Sequence, residues 1–431
     1  MPIQNRVTHR RIADLFTGIR SALGRIAIAL VYRDFRLLWA GAFTSSIGTC
    51  MQKVAQAWLI VTMTGSRSAF FLGLDSFLAE LPLLLFTVIG GVISDRHDRR
   101  YLILMSQITQ MLVALTLALL VFTRRIHIAH VLTLSFTVGC VRAFGGPAYQ
   151  SLLPILVNRK HIPNAIALNA IQFNLAQVIG PMLAGAALST FGMVACFGLN
   201  GISFLFVIAA ILLLRNVPSL LQATEGIGIQ LRDGLQFVQA TPNLATVMAV
   251  GFFTTLLGVP LFTFLPIITR DVLHRDVAFY TNLMTFSGAG ALTGALIVAW
   301  LGKNRRMGRI LMMLLLLFGA AIIGFALSRK SCLSASILFV GGSLFVMISS
   351  LATSLAQLLA PPAMLGRVVS VYLIAFMGGS PLGSIASGWL VMHLGSAPKM
   401  LEVNGTALTL VALYFLIHCQ SFKGFQESQW D

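Results

Sequence analysis

The stretch Gly90-Gly91-Val92-Ile93-Ser94-Asp95-Arg96-His97-Asp98-Arg99-Arg100 follows two long apolar segments, and a third begins directly after it at Tyr101. Charged side chains are unstable in hydrocarbon, so a short loop of Gly, Asp and Arg between membrane-length helices must lie at a membrane surface. Its three arginines indicate the cytoplasmic surface. The stretch therefore predicts a chain that crosses a membrane repeatedly.

The composition agrees with a helical membrane protein. Of the 431 residues, 57% are hydrophobic and only 10% are charged, whereas a soluble domain carries roughly 25% charged residues. Long apolar stretches recur along the whole chain, which is typical of membrane-spanning helices. The alternating pattern of a β-barrel is not present. The predicted fold class is therefore an all-α polytopic membrane protein.

The charge and the cysteines exclude several other classes of protein. The net charge is +17, but the basic residues flank apolar spans, as they do in membrane proteins rather than in nucleic-acid-binding proteins. The five cysteines and eight histidines lack the spacing of a metal or redox site. The sequence contains no phosphate-binding loop. We expect no enzyme activity, no cofactor and no metal.

Twelve spans and five segments are predicted from hydropathy. Residues 1–34 form a basic N-terminal segment, interpreted either as an amphipathic helix on the inner membrane surface or as a loose tail. A six-helix half at 35–215 is followed by a cytoplasmic linker at 216–242, a second half at 243–420 and a tail at 421–431. The predicted spans are 35–63, 69–94, 101–123, 127–150, 164–189, 192–215, 243–268, 279–301, 307–328, 332–356, 366–393 and 400–420.

The distribution of Lys and Arg predicts the orientation. With the N-terminus inside, 20 of these residues fall on the cytoplasmic side and 8 on the outer side, while Lys53 and Arg142 lie within spans. This excess predicts that both termini are cytoplasmic. We expect the protein in the inner membrane of a bacterium.

The two halves share local sequence in the same order, which indicates an internal duplication. Gly41–Gly48 in the first span resembles Gly251–Gly258 in the seventh, and Gly180-Pro181 in the fifth corresponds to Ser380-Pro381 in the eleventh. Parallel repeats of six spans are typical of transporters that hold their substrate between two halves.

The motifs resemble those of the major facilitator superfamily over about residues 33–420. The charged loop is similar to its cytoplasmic loop motif at Gly91, Asp95, Arg96, Arg99 and Arg100. Several further stretches resemble a bacterial exporter subgroup: the first span, Arg142–Gln150, Pro163–Asn169, the Asp233 segment and Gly366–Tyr372. That subgroup includes macrolide efflux pumps and siderophore exporters.

The resemblance implies two elements of gating. It implies that Asp95 contacts the start of the eleventh helix near Gly366 and holds the cytoplasmic gate shut in the outward-facing state; the alternative is a loop that only sets topology. Asp95 is also placed where it can cap a helix. Gly180, Pro181 and Gly185 resemble an antiporter motif, which implies a kinked fifth helix that seals the interior; ordinary helix packing is the alternative.

Charged residues inside the spans are candidates for a charge pathway, because such residues are costly in hydrocarbon. Counted from the external turn, Lys53 and Glu80 lie at the same depth, which makes an ion pair plausible, and Asp75 lies nearer the outer surface. We expect Glu80, or Asp75, to take up a proton as substrate leaves; a structural role is the alternative. Arg142 resembles the family's buried arginine and is expected to help proton movement, to hold an anionic group or to pair with Glu80.

The predicted function is secondary active export of a bulky organic molecule, a siderophore or a drug, by alternating access and proton antiport. The alternatives are a lysophospholipid translocase on the same fold and a non-transporting membrane sensor. The expected partners are a small-molecule substrate, protons and membrane lipid, and a monomer is expected. Amide and aromatic side chains suit such a cavity, and the candidates are Gln52, Gln56, Asn169, Gln172, Phe173, Asn174, Gln177, Asn282, Gln357 and Tyr372, with Trp58.

Overall fold

The computed structural model describes residues 28–215, 227–301, 307–362 and 364–418, and the regular structure within these ranges is helical. The all-α prediction is confirmed. The long helices are α1 Arg33–Thr64, α2 Ser68–Arg96, α3 Arg99–Phe122, α4 Ile128–Leu152, α5 Ile162–Thr190, α6 Gly192–Leu212, α7 Pro242–Gly258, α8 Val277–Leu301, α9 Met307–Leu327, α10 Ser331–Leu359, α11 Leu365–Leu394 and α12 Ala397–His418.

Eleven segments of the described chain are long and apolar enough to cross a membrane. The first of them runs for 55 residues, from Arg33 to Thr87, through the tight turn Gly65–Arg67. It therefore contains α1 and most of α2. Counted as helices, the spans number twelve, as predicted, and their ends lie within a few residues of the predicted ones.

Two spans differ in detail from the prediction. The charged stretch is mostly helical, because α2 continues through Gly90 and Gly91 to Arg96, and α3 begins at Arg99. The seventh span is interrupted after Gly258, where Pro260 and Pro266 remove backbone donors. It continues as the short pieces Pro260–Thr263, Leu265–Ile267 and the π-helical turn Ile268–Val272.

The predicted linker contains a helix, Ile227–Ala240, which we call the linker helix. Within the predicted N-terminal segment, a short 3₁₀ turn at Ile28–Val31 packs on α5 and on the turn after α4. The rest of that segment and the predicted tail at 421–431 lie outside the described residues. The division into five segments stays a prediction.

The helices pack in a pattern that repeats with a shift of six. In the first half α1 packs on α5 and α6, α2 on α4, and α3 on α4 and α6. In the second half α7 packs on α11 and α12, α8 on α10, and α9 on α10 and α12. The contacts between the halves, α2 with α11 and α5 with α8, are equivalent under the same shift. This pattern is what a duplicated sequence predicts.

Several contacts between the halves lie at the end of the bundle that carries the turn Gly65–Arg67, which we call the sealed end. There the Ser76 hydroxyl on α2 donates to the Ser384 hydroxyl on α11 at 3.1 Å. Trp58 on α1 stacks on Tyr280 on α8, with ring centroids 5.8 Å apart. Glycine brings the backbones together, since a Cβ on Gly388 of α11 would lie 2.8 Å from the Ala69 carbonyl oxygen on α2.

The opposite end of the bundle has the Arg96–Arg99 connection, and we call it the open end. A Cβ added to Gly91 on α2 or to Gly366 on α11 would meet no described atom within 4 Å. These two glycines therefore face open space at this end, whereas midway along the bundle α2 and α11 are still in contact, since a Cβ on Gly378 would lie 3.5 Å from the Leu84 side chain.

Candidate functional site

Three polar side chains form a hydrogen-bonded group that joins α1, α2 and α4. Gln56, Asp75 and Ser135 each lie seven or eight residues from the sealed end of their helix, about 10–12 Å along the axis. The Gln56 Nε2 atom donates to Asp75 Oδ1 and Oδ2, both at 3.0 Å, and contacts Ser135 Oγ at 2.9 Å. The Ser135 hydroxyl donates to Asp75 Oδ1 at 2.5 Å. We call this group the Asp75 node.

A layer of charges lies deeper along the same three helices. Lys53, Glu80 and Arg142 are 11 to 14 residues from the sealed end, about 17–21 Å along the helix axis. Lys53 interacts electrostatically with Arg142, Glu80 and Asp75, and Glu80 interacts with Arg142. We call Lys53, Glu80 and Arg142 the charged layer.

The predicted ion pair between Lys53 and Glu80 is not formed in this conformation. Within the described part of the chain, no side chain of the charged layer makes a hydrogen bond or an ion pair shorter than 4 Å. Lys53 is exposed, and Glu80 and Arg142 are half-buried. Unpaired charges inside a membrane protein need water. We therefore expect water to reach the charged layer.

The cavity charges all belong to the first half. In the sequence, α8 and α10 carry no Asp, Glu, Lys, Arg or His, and α11 carries none between Arg367 and His393. The cavity wall that the second half supplies is therefore uncharged, and the duplicated halves have different electrostatic roles.

Several amides predicted to line the cavity instead join helices. The Asn200 amide on α6 donates to Gln52 Oε1 at 2.6 Å, and Gln172 Nε2 on α5 donates to Ser46 Oγ on α1 at 3.3 Å. The Tyr149 hydroxyl donates to Asn169 Oδ1 at 3.1 Å. Hydrogen bonds of this kind are common between membrane helices, so these amides join neighbouring helices within the first half.

The remaining cavity candidates have different surroundings. Asn174 donates to the Ala170 carbonyl of its own helix at 2.9 Å, and Gln177 meets α8 through its backbone, opposite Gly288. Tyr372 is buried between α7 and α10, its ring beside Gly251 and its hydroxyl 3.4 Å from the Ser349 carbonyl oxygen. The exposed candidates are Phe173, Asn282 and Gln357.

The gating motif uses a different acid as a helix cap from the one expected. Asp98, and not Asp95, caps α3, because its carboxylate accepts from the Arg100 backbone N–H at 2.9 Å. The Arg100 guanidinium donates to the carbonyls of Leu214 and Arg215, just beyond α6, at 3.0 and 2.9 Å. The side chains of Asp95 and Arg96 lie outside what the structure describes, and so does the contact predicted for Asp95.

The antiporter-like motif on α5 lies at two close helix contacts. A Cβ on Gly180 would be 2.5 Å from Cys50 Cβ on α1, and one on Gly185 would be 2.5 Å from Thr281 Oγ1 on α8. Pro181 is buried within the helix. Gly180 thus packs α5 inside its own half, and Gly185 packs it across to the other half.

Two arginines that the sequence analysis did not single out connect elements. Arg270 at the end of the seventh span pairs with Asp271 and donates to the carbonyl oxygen of Val61, in the last turn of α1 in the other half. Arg367 Nη1 on α11 pairs with Asp233 Oδ2 on the linker helix at 3.0 Å. The Asp233 and Gly366 motifs, recognised separately in the sequence, therefore meet in space.

Comparison with known proteins gives one family over most of the chain. The family model for transmembrane secretion effectors matches residues 28–428. An enterobactin exporter EntS from Citrobacter koseri is 25% identical over 410 residues, which cover 95% of this chain and 97% of that protein. The enterobactin exporter EntS of Escherichia coli O1:K1 is 25% identical over 411 residues, with the same coverage.

Solved structures share the fold at lower sequence identity. A D-xylose–proton symporter superposes with a TM-score of 0.71 at 13% identity, covering 91% of this chain and 99% of the symporter. A bacterial homologue of the human lysosomal transporter Spinster, inward-facing and occupied, also gives 0.71, at 15% identity, covering 92% and 99%. These similarities support the fold.

Proposed function

The chain belongs to the transmembrane secretion effector family of the major facilitator superfamily, and from this premise we propose that it exports a bulky organic molecule by alternating access. It is a multi-pass membrane transporter and not an enzyme. The observation that supports export is the charged layer between two halves that are joined at the sealed end, and we propose that these charges line a hydrated cavity that opens at the opposite end. A cavity of this kind is what one state of an alternating-access cycle requires.

We propose that the open end faces the cytoplasm. The basic residues concentrate at the end that carries the Arg96–Arg99 connection, as the positive-inside rule describes for cytoplasmic loops. The conformation is then inward-facing, ready to accept cargo from inside, with both termini in the cytoplasm of a bacterial cell. We propose a monomer as the working unit, because each half contributes one wall of a single cavity.

The cargo class follows from the relatives and from the cavity. The relatives named above are enterobactin exporters, and we propose a siderophore or a drug of similar bulk as cargo. The charged layer supplies both signs of charge, and Phe173, Asn282 and Gln357 add apolar and amide surface. A large, partly polar organic molecule fits these groups better than a small ion.

We propose that proton antiport drives the cycle. A carboxyl group in a weakly solvated site can gain and lose a proton with small changes in its surroundings. The two acids of α2, Glu80 and Asp75, are the interior acids of the chain. One of them takes up a proton from outside as cargo leaves, and it releases that proton inside when cargo enters.

The test is transport into inverted vesicles and proteoliposomes under an imposed pH gradient. The probes are enterobactin, a macrolide and a lysophospholipid, and the proteins are wild type, Glu80→Gln, Asp75→Asn and the double variant. We expect gradient-dependent uptake of enterobactin or the macrolide, lost in the double variant. Glu402→Gln, in the second turn of α12, serves as the matched control.

Two results would overturn the proposal. Gradient-driven uptake that survives in the double variant would remove proton exchange from these acids. Movement of lysophospholipid alone, without a gradient and without an effect of the substitutions, would show an amphiphile translocase instead of an exporter.

A further inference from the structure

We infer that Asp75 is the acid that exchanges the proton, and that Gln56 and Ser135 are positioning residues for its carboxylate. The inference rests on the proposed proton antiport and chooses between the two acids of α2. Its basis is the contrast between the Asp75 node, which is fully hydrogen-bonded, and Glu80, which stands in the charged layer without a direct partner among the described residues.

The bonds of the Asp75 node fix the position of the carboxylate. Both oxygens accept from the single Gln56 amide nitrogen, and Oδ1 also accepts from Ser135. The donors come from α1 and α4, on either side of the acid on α2. A carboxylate held by neutral donors from two other helices has a defined geometry, and a change in its protonation is felt by all three helices.

The chemistry of the node allows both protonation states. When Asp75 is ionised, the Ser135 hydroxyl donates to it. When a proton from water binds Oδ1, the new O–H donates to Ser135 Oγ, and the serine hydroxyl hydrogen turns away. A hydroxyl can make this exchange because it is both donor and acceptor, whereas the Gln56 NH₂ group remains a donor in both states. Only one O–H bond forms, and no other group changes its charge.

The position of the node connects it to the seal. Ser76, the next residue on α2, makes the hydrogen bond to Ser384 on α11. Trp58, two residues after Gln56 on α1, stacks on Tyr280 of α8. The node thus lies at the depth of the Ser76–Ser384 contact and slightly deeper than the Trp58–Tyr280 contact, and both contacts must break when the sealed end opens. Opening would bring water from that side to Asp75 before it reached the deeper charged layer.

The ionisable neighbours of the node are few. Lys53 on α1 interacts electrostatically with Asp75, and it also interacts with Cys50 on α1, Glu80 on α2 and Arg142 on α4. The stretch of α11 that packs on α2 has no Asp, Glu, Lys, Arg or His between Arg367 and His393. Glu80 shares its layer with two cations, so we assign it to balancing charge in the cavity.

The test is infrared difference spectroscopy of the purified full-length protein without cargo, comparing acidic with neutral pH. A protonated carboxyl gives a C=O stretching band, and loss of hydrogen bonds to that carboxyl moves the band to higher wavenumber. We expect one band to be absent in Asp75→Asn and present in Glu80→Gln. We expect the same band at higher wavenumber in Ser135→Ala and Gln56→Leu.

The matched control is Ser151→Ala, because this serine on the same helix bonds only to its own backbone, at the Ala148 carbonyl. In Ser151→Ala the carboxyl band assigned to Asp75 should remain at the wild-type wavenumber. The inference would be overturned if no pH-dependent band is lost in Asp75→Asn, or if the band lost there does not move in Ser135→Ala and Gln56→Leu. Because no cargo is used, this result is independent of whether enterobactin is transported, so failure of the proposed function is seen separately.

Discussion

At the scale of single residues, Gln52 and Gln56 show how neighbouring amides on one helix acquire different roles. They are one helical turn apart on α1, but Gln52 accepts from Asn200 of α6 and Gln56 donates to Asp75 of α2. Both were predicted to line the cavity. The structure gives Gln52 a role in holding α1 against α6.

Replacing Gln52 with Leu should therefore affect stability more than cargo affinity. Asn200 is buried, and the loss of its partner leaves an amide unsatisfied, at a cost of about 0.6–2 kcal/mol. We expect a lower Tm of the purified protein and an unchanged KM for transport. A raised KM with an unchanged Tm would show that Gln52 touches cargo after all.

The sequence predicted which residues carry charge in the membrane and how deep they lie, because depth follows from counting residues along a helix. It did not predict their partners. Lys53 and Glu80 share a depth but do not pair, and Ser135 was overlooked because one serine in an apolar span has no distinguishing pattern. Partners depend on helix rotation and on how far apart the halves are, which local sequence does not specify.

At the scale of secondary structure, the broken seventh span ends in a π turn that presents Arg270 to the other half. Its guanidinium donates to the carboxylate of the adjacent residue, Asp271, and to the backbone carbonyl of Val61. The last four carbonyl groups of a helix have no N–H partner within that helix, and the Val61 carbonyl is one of these four in α1. The sequence analysis predicted a continuous span over 243–268, and therefore predicted neither the interruption at Pro260 and Pro266 nor this contact.

Substituting Arg270 with Gln should weaken the sealed end. A hydrogen bond from a charged group contributes about 1.5–3 kcal/mol, so we expect the population to shift toward states in which this end is open. The measurement is the distance distribution between spin labels at Ser66→Cys and Lys399→Cys in a background without native cysteines. Arg275→Gln, in the same loop but contacting Phe279 of its own half, is the control. An unchanged distribution in Arg270→Gln would contradict a sealing role.

The linker helix is a second connecting element, because Asp233 pairs with Arg367 at the start of α11. Both side chains are about one-third exposed, so the pair contributes about 1 kcal/mol at most. We expect Asp233→Asn to change the initial rate of transport by fivefold or less, and the exchange Asp233→Arg with Arg367→Asp to restore part of that change. Arg232→Gln, on the exposed neighbour, should have no effect. A double variant that is no better than the singles would argue against direct pairing.

At the scale of the whole molecule, hydropathy was sufficient for the fold because twelve apolar spans in a duplicated order leave few arrangements. The open space at Gly91 and Gly366 was not predictable, because the distance between the halves depends on contacts between residues that are far apart in the sequence. The difference between the two ends is visible only in the structure, in contacts such as Ser76 with Ser384 and in the open space at Gly91 and Gly366.

We expect the cavity to be accessible from the side of the membrane that the open end faces. Lys53→Cys, in a background without native cysteines, should react with a membrane-impermeant thiol reagent added to inside-out vesicles, because Lys53 is exposed within the cavity. It should react at least tenfold more slowly in right-side-out vesicles if the population resembles this conformation, an estimate that corresponds to about 1.4 kcal/mol between the states. Equal rates from the two sides would contradict the assigned orientation.

The confinement of the interior charges to the first half has an electrical consequence. Lys53 and Arg142 balance Asp75 and Glu80, so the empty carrier with both acids ionised carries no net charge in the membrane interior. Each bound proton adds one positive charge, on which a potential of 100 mV acts with about 2.3 kcal/mol when it crosses the whole field. The membrane voltage would therefore pull the proton-loaded carrier inward and leave the proton-free carrier alone. Voltage therefore drives the step in which the proton-loaded carrier reorients, and it does not act on the step in which the proton-free carrier reorients.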